Sequence, residues 1–327
     1  MKYDIEADWQ PLTTCNYRCD YCFLSEAALG AKLRVHATPA QWRAAFDRTG
    51  RTWLLHMTGG EPTHYPDFAE LCATLAERHY LSLNSNLTGP SILDFAARVD
   101  PKRVSFINAG LHPAERARRN GLAIFLRHAE ALLKRGFPVM ATVVATPEAL
   151  RDFDAISDQL RPIGLAPMPK LMHGRHGCAR YPEAYTEEER ALFRRHSLAA
   201  QRRNPDLFDG RRARPSIDPT LDRDHLEGLK DYRGQSCTAG QEFVLLLADG
   251  TVMRCGQGAS MGNLLTGTVR FKNKSRPCDR GHCFYFCEKF TARAAAREWA
   301  RAHPIAAMAA RLKRTLVAAP PHKRAAE

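Results

Sequence analysis

The sequence predicts an α/β chain: a partial TIM-like barrel of six βα units, (β/α)6, followed by a small C-terminal Cys-rich module of β-hairpin and helix. Three observations carry this. Strand-like runs and helical spacing alternate over roughly 170 residues, the pattern of βα units around a parallel sheet. The units number six, fewer than the eight that close a full barrel. The 10 cysteines fall in two groups, three within residues 15–22 and five within 237–287, with only Cys72 and Cys178 outside them. A chain of 327 residues buries enough surface to need no disulfides, so clustered cysteines point to metal.

The elements follow in order. Residues 5–13 form a short first strand, and the first Cys group follows in a loop. Thr38-Pro39-Ala40-Gln41 opens a helix, with Thr38 as N-cap and Pro39 at N1. Residues 53–58 are a strand closed by Gly59-Gly60, and Phe68, Leu71, Cys72 and Leu75 mark a helix over 66–80. Strands are expected at 81–86, 103–108, 139–145 and 163–168, a helix over 121–135 stopped by Gly136, and another opened by Thr146-Pro147-Glu148. Residues 170–185 read as a loop, 187–203 as a polar helix, and 204–235 as a linker. Residues 242–248 and 251–254 form a hairpin around an Asp249-Gly250 turn. Residues 291–317 are Ala/Arg-rich and helical, interrupted at Pro304. The expected division is a core over 1–200, a connecting segment over 201–235, a Cys-rich module over 236–290 and a basic helical tail over 291–327.

The net charge of +13 marks either a surface for an acidic partner or dispersed, solvated arginines. The dispersal, and the lack of aromatics interleaved with the basic groups, favour the second. No nucleic acid is therefore expected as a partner. No apolar run approaches the ~18 residues of a membrane span, and the N-terminus has no secretory h-region. The expected location is the cytoplasm, which suits free thiolates.

Cys15-Asn-Tyr-Arg-Cys19-Asp-Tyr-Cys22 has the spacing C-x3-C-x2-C. Three thiolates on one loop can hold three corners of a [4Fe–4S] cubane and leave the fourth iron open. A structural zinc site wants four ligands, and this triplet offers three. With Tyr21 before the last cysteine and Gly59-Gly60-Glu61-Pro62 after the second strand, the triplet resembles the radical S-adenosylmethionine (SAM) superfamily over roughly residues 5–175. The resemblance implies that SAM chelates the open iron through its amino and carboxylate groups. It implies that Gly59, Gly60, Glu61 and Pro62 contact the methionine ammonium, two glycines permitting close backbone approach. By the same resemblance, Tyr21 lies near adenine and the polar residues Asn84, Ser85 and Asn86 at the end of the third strand face SAM. Asn108 stands where the family often has a ribose-binding serine. His56 alternates with Leu55 and Met57 and could point into the barrel.

Cys237, then Gly250, then Cys255, with Gly262-Asn263 shortly after, resembles the SPASM and twitch extensions of this superfamily. Cys278, Cys283 and Cys287 complete the group. Five cysteines cannot supply the eight ligands of two clusters, so one auxiliary [4Fe–4S] cluster is expected. Its ligands are expected to be Cys237, Cys255, Cys283 and Cys287, with Cys278 competing for one place; a four-cysteine zinc site uses the same ligands. Cys72 falls on an apolar helix stripe and reads as core. Cys178 is either an inert loop thiol or, as in radical SAM epimerases, a hydrogen-atom donor.

The resemblance implies that an electron from a flavodoxin- or ferredoxin-type donor cleaves SAM and that a 5′-deoxyadenosyl radical takes a hydrogen from the substrate. The leading expectation is an oxidoreductase of natural-product biosynthesis that oxidises a small sugar- or cyclitol-like molecule, the auxiliary cluster accepting the second electron. The alternative is radical modification of a ribosomally made peptide: thioether formation, epimerisation or carbon–carbon crosslinking. Against it stands the first cysteine at residue 15, which leaves no room for an N-terminal peptide-recognition domain. A remote third class, a zinc-binding nucleic-acid protein, conflicts with the Gly-Gly-Glu-Pro motif and the βα array.

Overall fold

A computed structural model describes residues 1–205, 219–228, 231–256, 258–281, 283, 287–306 and 308. The strands are β1 (Ile5–Leu12), β2 (Trp53–Gly59), β3 (Tyr80–Ser85), β4 (Val104–Gly110), β5 (Val139–Val144), β6 (Met168–Lys170), β7 (Gly174–His176), β8 (Ala179–Tyr181), β9 (Ser236–Cys237), β10 (Phe243–Leu246), β11 (Thr251–Met253), β12 (Ser260–Asn263) and β13 (Arg276–Pro277). The helices are α1 (Glu26–Leu29), α2 (Pro39–Asp47), α3 (Phe68–Ala76), α4 (Ser91–Arg98), α5 (Pro113–Arg119), α6 (Leu122–Lys134), α7 (Pro147–Arg151), α8 (Phe153–Leu160), α9 (Glu187–Arg203), α10 (Pro219–Glu227) and α11 (Cys287–Ala302).

One nine-stranded sheet runs β12-β11-β10-β1-β2-β3-β4-β5-β6. Strands β1 to β6 pair in parallel and in sequence order, as six consecutive βα units require. The sheet is open. One face of the strands packs on the helices. Ile5, Ala7 and Trp9 of β1, Trp53, Leu55 and Met57 of β2, and Leu81 and Leu83 of β3 belong to one buried cluster. Trp9 meets Trp42 and Phe46 of α2 edge-on, at ring separations of 4.9 and 5.5 Å. Each such buried side chain contributes roughly 1.5–3 kcal/mol of transfer free energy. The helix start at Thr38 is a full capping box with Gln41.

Several elements differ from expectation. The sixth strand is Met168–Lys170, not 163–168: residues 161–163 form a 3-10 turn closed by Gly164 at φ +73°. Helices α4 and α5 join the array, α4 burying Ile92, Phe95 and Ala96. The segment 170–185 contains a hairpin, β7–β8, turning at Gly177-Cys178. The connecting segment contains α10, docked by Asp222, whose carboxylate accepts from the Leu171 amide at 2.9 Å. Residues 206–218 of the expected linker and 309–327 of the expected tail lie outside the described residues.

The hairpin around Asp249-Gly250 is present as β10–β11, with Gly250 at φ +85°. Its strand β10 pairs in parallel with β1, so the Cys-rich module extends the core's own sheet. Helix α11, which runs across the expected boundary at residue 290, docks on the same strand. Lys289 and Arg293 reach the buried Glu6 of β1, at 2.5 and 3.3 Å. No helix among the described residues is long and apolar enough to cross a membrane.

Candidate active site

The ends of β1, β2 and β3 are sewn together by backbone. The amides of Gly60 and Glu61 donate to the carbonyls of Leu12 and Thr14, at 3.1 and 2.9 Å, just before Cys15. A Cβ on Gly60 would stand 1.9 Å from the Thr14 carbonyl oxygen, and one on Gly59 2.3 Å from that of Leu12. Gly59 also sits at φ +105°, which L side chains rarely adopt. The glycines are thus needed where the two loops touch, and their contact sets the path of the cysteine loop.

Glu61 is buried and its carboxylate is already engaged. One oxygen accepts from the Thr63 amide and hydroxyl at 3.1 and 2.5 Å and from the Ser85 hydroxyl at 2.6 Å, and the other from the Asn86 amide at 2.7 Å. Glu61 therefore ties the end of β2 to the end of β3. Pro62 opens the short 3-10 turn that carries Thr63. Asn86 reaches the cysteine loop, its side-chain amide donating to Asn16 Oδ1 at 3.0 Å and lying 3.9 Å from Cys15 Sγ. Of the expected Asn84-Ser85-Asn86 face, Ser85 and Asn86 hydrogen-bond to Glu61, while Asn84 bonds Thr58 and Asn108 on the neighbouring strands.

Cys15, Cys19 and Cys22 are free and half-buried. Burial pushes the Cys15 thiol up to about 11 and the Cys19 thiol up to about 12, with neighbouring thiols adding to both. Burial also raises Cys22. The three thiols therefore share one half-desolvated spot that favours anions only when a cation offsets them. Among the described residues no three His, Cys, Asp or Glu side chains converge on one metal ion. A cubane binds each thiolate at a different iron and asks for no such convergence, whereas zinc does. The donor set fits a [4Fe–4S] cluster.

Residues 9–160 match the family model of the Radical SAM superfamily. This segment is similar to a radical SAM domain. No curated protein matches the chain. Among solved structures, anSMEcpe with bound S-adenosylmethionine and Cp18Cys peptide is similar at 16% identity and TM-score 0.53, covering 81% of this chain and 79% of that one. Streptococcus suis SuiB bound to S-adenosylmethionine is similar at 15% identity and TM-score 0.55, covering 81% of this chain and 64% of that one. SuiB bound to its precursor peptide SuiA is similar at 14% and TM-score 0.54, covering 83% and 65%. The chain thus spans just under two thirds of SuiB. At these identities the likeness is one of fold.

Across the inner face of strands β2 to β5 runs a polar lining that the sequence did not reveal. Thr142 of β5 donates to Asn108 of β4 at 2.6 Å, Asn108 to Asn84 of β3 at 2.5 Å, and Asn84 to Thr58 of β2 at 3.1 Å. The expected sugar contact Asn108 is thus one rung of a ladder across four strands. A layer below, His56 bonds Ser82 at 2.5 Å and Glu6 at 3.1 Å, so it is a satisfied interior histidine. Asp8, only 3% exposed, makes no hydrogen bond or ion pair among the described residues. Burial pushes its carboxyl up to about 7, with Lys170 opposing. Burial likewise lowers Lys170. A usable signal existed: Ile5-Glu6-Ala7-Asp8-Trp9 alternates apolar with acidic residues, and strands of a parallel sheet are normally apolar on both faces.

Beside the cysteine loop a cleft of about 940 Å³ runs along α5 to the end of β5 and α8. Arg18, Asp20, Glu115, Arg118, Glu148 and Asp152 are among the residues lining it. Tyr21, also there, places its hydroxyl 2.9 Å from His112 Nδ1. Cys178 is exposed at the β7–β8 turn, and Cys72 is fully buried with its sulfur 3.6 Å from that of Met57.

In the C-terminal module Cys237, Cys255, Cys278 and Cys283 line one cavity of about 360 Å³. Cys278 lines this cavity with them, while the side chain of Cys287, at the start of α11, lies outside the described ones. Cys237, Cys255 and Cys278 are free, and Cys283 is disulfide-bonded. Burial raises Cys237, and Cys278 and Cys255 add to the rise. Arg254, Lys272, Arg276 and Arg280 line the same cavity and outnumber Asp279, so it is suited to an anionic group.

Proposed function

We propose that this chain is a radical SAM enzyme that modifies a peptide. The observation that carries the enzyme class is the meeting of the Cys15-Cys19-Cys22 loop with the Gly59-Gly60 backbone and Asn86 at the strand ends, within a segment that matches the superfamily. When bound, the cluster and SAM supply a carbon radical that takes a hydrogen atom from the substrate. The chain's own residues position and shield: Glu61 holds the loop ends together, the Thr58–Asn84–Asn108–Thr142 ladder braces the inner face of the sheet, and Asp8 and Lys170 add buried ionisable groups on β1 and β6.

The peptide reading replaces sugar oxidation as the leading one. It draws on the fold shared with anSMEcpe and SuiB, whose structures hold peptides, and on the charged cleft leading from the cysteine loop. That cleft is at the upper end of small-ligand pockets and has room for an extended segment. The small-molecule reading keeps one observation in its favour: a hydroxyl-rich ligand would suit the polar ladder. The free thiols of Cys237, Cys255 and Cys278 in one cavity support an auxiliary cluster, with Cys283 able to join them once its disulfide is reduced, and the anionic sulfurs would find compensating charge in the basic lining.

The test is direct. Anaerobically reconstituted protein is given SAM, dithionite and the short peptides encoded beside its gene. Under this proposal one peptide raises 5′-deoxyadenosine well above the peptide-free background, and its mass changes by lost hydrogens or its residues change configuration. Stimulation by sugars or cyclitols alone would return the small-molecule reading to first place.

A further inference from the structure

We propose that His112 is a positioning residue for Cys19: together with the Tyr21 hydroxyl it fixes that sulfur by hydrogen bonding and raises the reduction potential of the cluster the N-terminal loop would hold. The inference rests on the radical SAM reading above and adds to it a residue that the sequence did not single out.

The contact is specific. His112 Nδ1 lies 3.5 Å from Cys19 Sγ and 2.9 Å from the Tyr21 hydroxyl. Tyr21 also acts on Cys19, its hydroxyl opposing the rise that burial gives the thiol. A thiolate only accepts, so the consistent arrangement has Tyr21 O–H donating to Cys19 and His112 Nδ1–H donating to the Tyr21 oxygen, with Cys19 Sγ next in line.

The ring is held where it is by three unusual features. His112 has φ +49°, a left-handed conformation that costs a non-glycine residue about 1 kcal/mol. Gly110 makes room beneath the ring, since a Cβ there would stand 2.5 Å from His112 Nε2. Tyr21 stacks on the ring with planes 17° apart, and Tyr17 meets it edge-on at 86°. Strain kept in place by surrounding packing marks a residue whose position is used. Hydrogen bonds to a cluster's sulfurs raise its potential, because they stabilise the extra negative charge of the reduced state. A ring that merely filled space would not.

The experiment is an EPR-monitored redox titration of the reconstituted full chain with SAM present, which marks the N-terminal cluster by its altered signal. Wild type is compared with His112→Gly and His112→Asn, both able to keep the left-handed backbone, and with Tyr21→Phe. In His112→Gly and Tyr21→Phe the ratio of reduced to oxidised cluster at the wild-type midpoint should fall roughly tenfold, about 59 mV for one electron. His112→Asn, with its shorter donor, should recover part of the loss. Unchanged midpoints in His112→Gly and Tyr21→Phe would overturn the proposal. So would loss of iron in His112→Gly with an unchanged midpoint in Tyr21→Phe, which would leave His112 a packing role alone. A wild-type signal indifferent to SAM would instead overturn the radical SAM reading itself.

Discussion

Cys15, Cys19 and Cys22 come from one loop, whereas Cys237, Cys255, Cys278 and Cys283 reach their cavity from separate segments of the C-terminal module. The first group is aimed by backbone: the Gly60 and Glu61 amides, the Glu61 carboxylate cross-tie and Asn86 fix the path of a single loop. The second is assembled by tertiary packing, with β9 and β13 pairing, β10–β11 supplying the hairpin and Phe290 of α11 stacked on Phe243 at 4.9 Å. A loop site with three ligands leaves a place open for chemistry. A cavity walled by four cysteines and basic side chains suits a closed site. The two are joined mechanically, since β10 pairs with β1 and α11 clamps Glu6.

The largest expected effect separates the two regions outright. Replacing Cys15, Cys19 and Cys22 together with Ala should abolish 5′-deoxyadenosine formation and leave about four irons per chain, the content of one cubane. Cys255→Ala should do the reverse, losing iron while SAM cleavage persists. Persistent 5′-deoxyadenosine formation in the triple variant, or its loss in Cys255→Ala, would break the distinction.

Removal of the cross-tie comes next. Glu61→Ala strips four hydrogen bonds from a buried carboxylate and strands the Ser85 hydroxyl and Asn86 amide. Urea unfolding of the apo protein should show a loss of about 3 kcal/mol. Glu61→Gln should lose less. Gly60→Ala, whose Cβ collides with the Thr14 carbonyl, should displace the cysteine loop and lower its reconstituted iron, leaving the C-terminal cavity unaffected. Normal loading of that loop in Gly60→Ala would show that the loops do not depend on this contact.

A pH effect follows from Asp8. Its folded pKa, raised to about 7, lies above the unfolded value of about 4. Between those values the folded state holds the extra proton, so this group's contribution to stability falls as pH rises from about 4 to about 7, by at most ~1.4 kcal/mol per pH unit. Asp8→Asn should flatten that stretch of the stability profile, measured by denaturant unfolding. An identical profile in the variant would overturn this account of Asp8.

The smallest effect is kinetic. The raised thiols of Cys15 and Cys19 must lose their protons to bind iron, so cluster reconstitution should quicken as pH rises toward 9.

The sequence by itself determined the local devices. Cysteine spacing, the Gly-Gly-Glu-Pro turn, the alternation of strand and helix and the Asp249-Gly250 hairpin each depend on residues near one another in the chain, and each stands in the structure as a βα array, a loop or a turn. Short contacts in sequence leave periodicity and spacing that can be read. Tertiary structure decided what distance in sequence hides. Only the pairing of β10 with β1 makes the module part of the core's sheet. Only the folded loops show that Glu61 spends its charge on Ser85 and Asn86, and that His112, 93 residues from Cys19, reaches its sulfur. These arrangements rest on side chains that meet through the fold, and single residues such as an aspartate in a strand or a histidine before a helix carry no pattern that announces their partners.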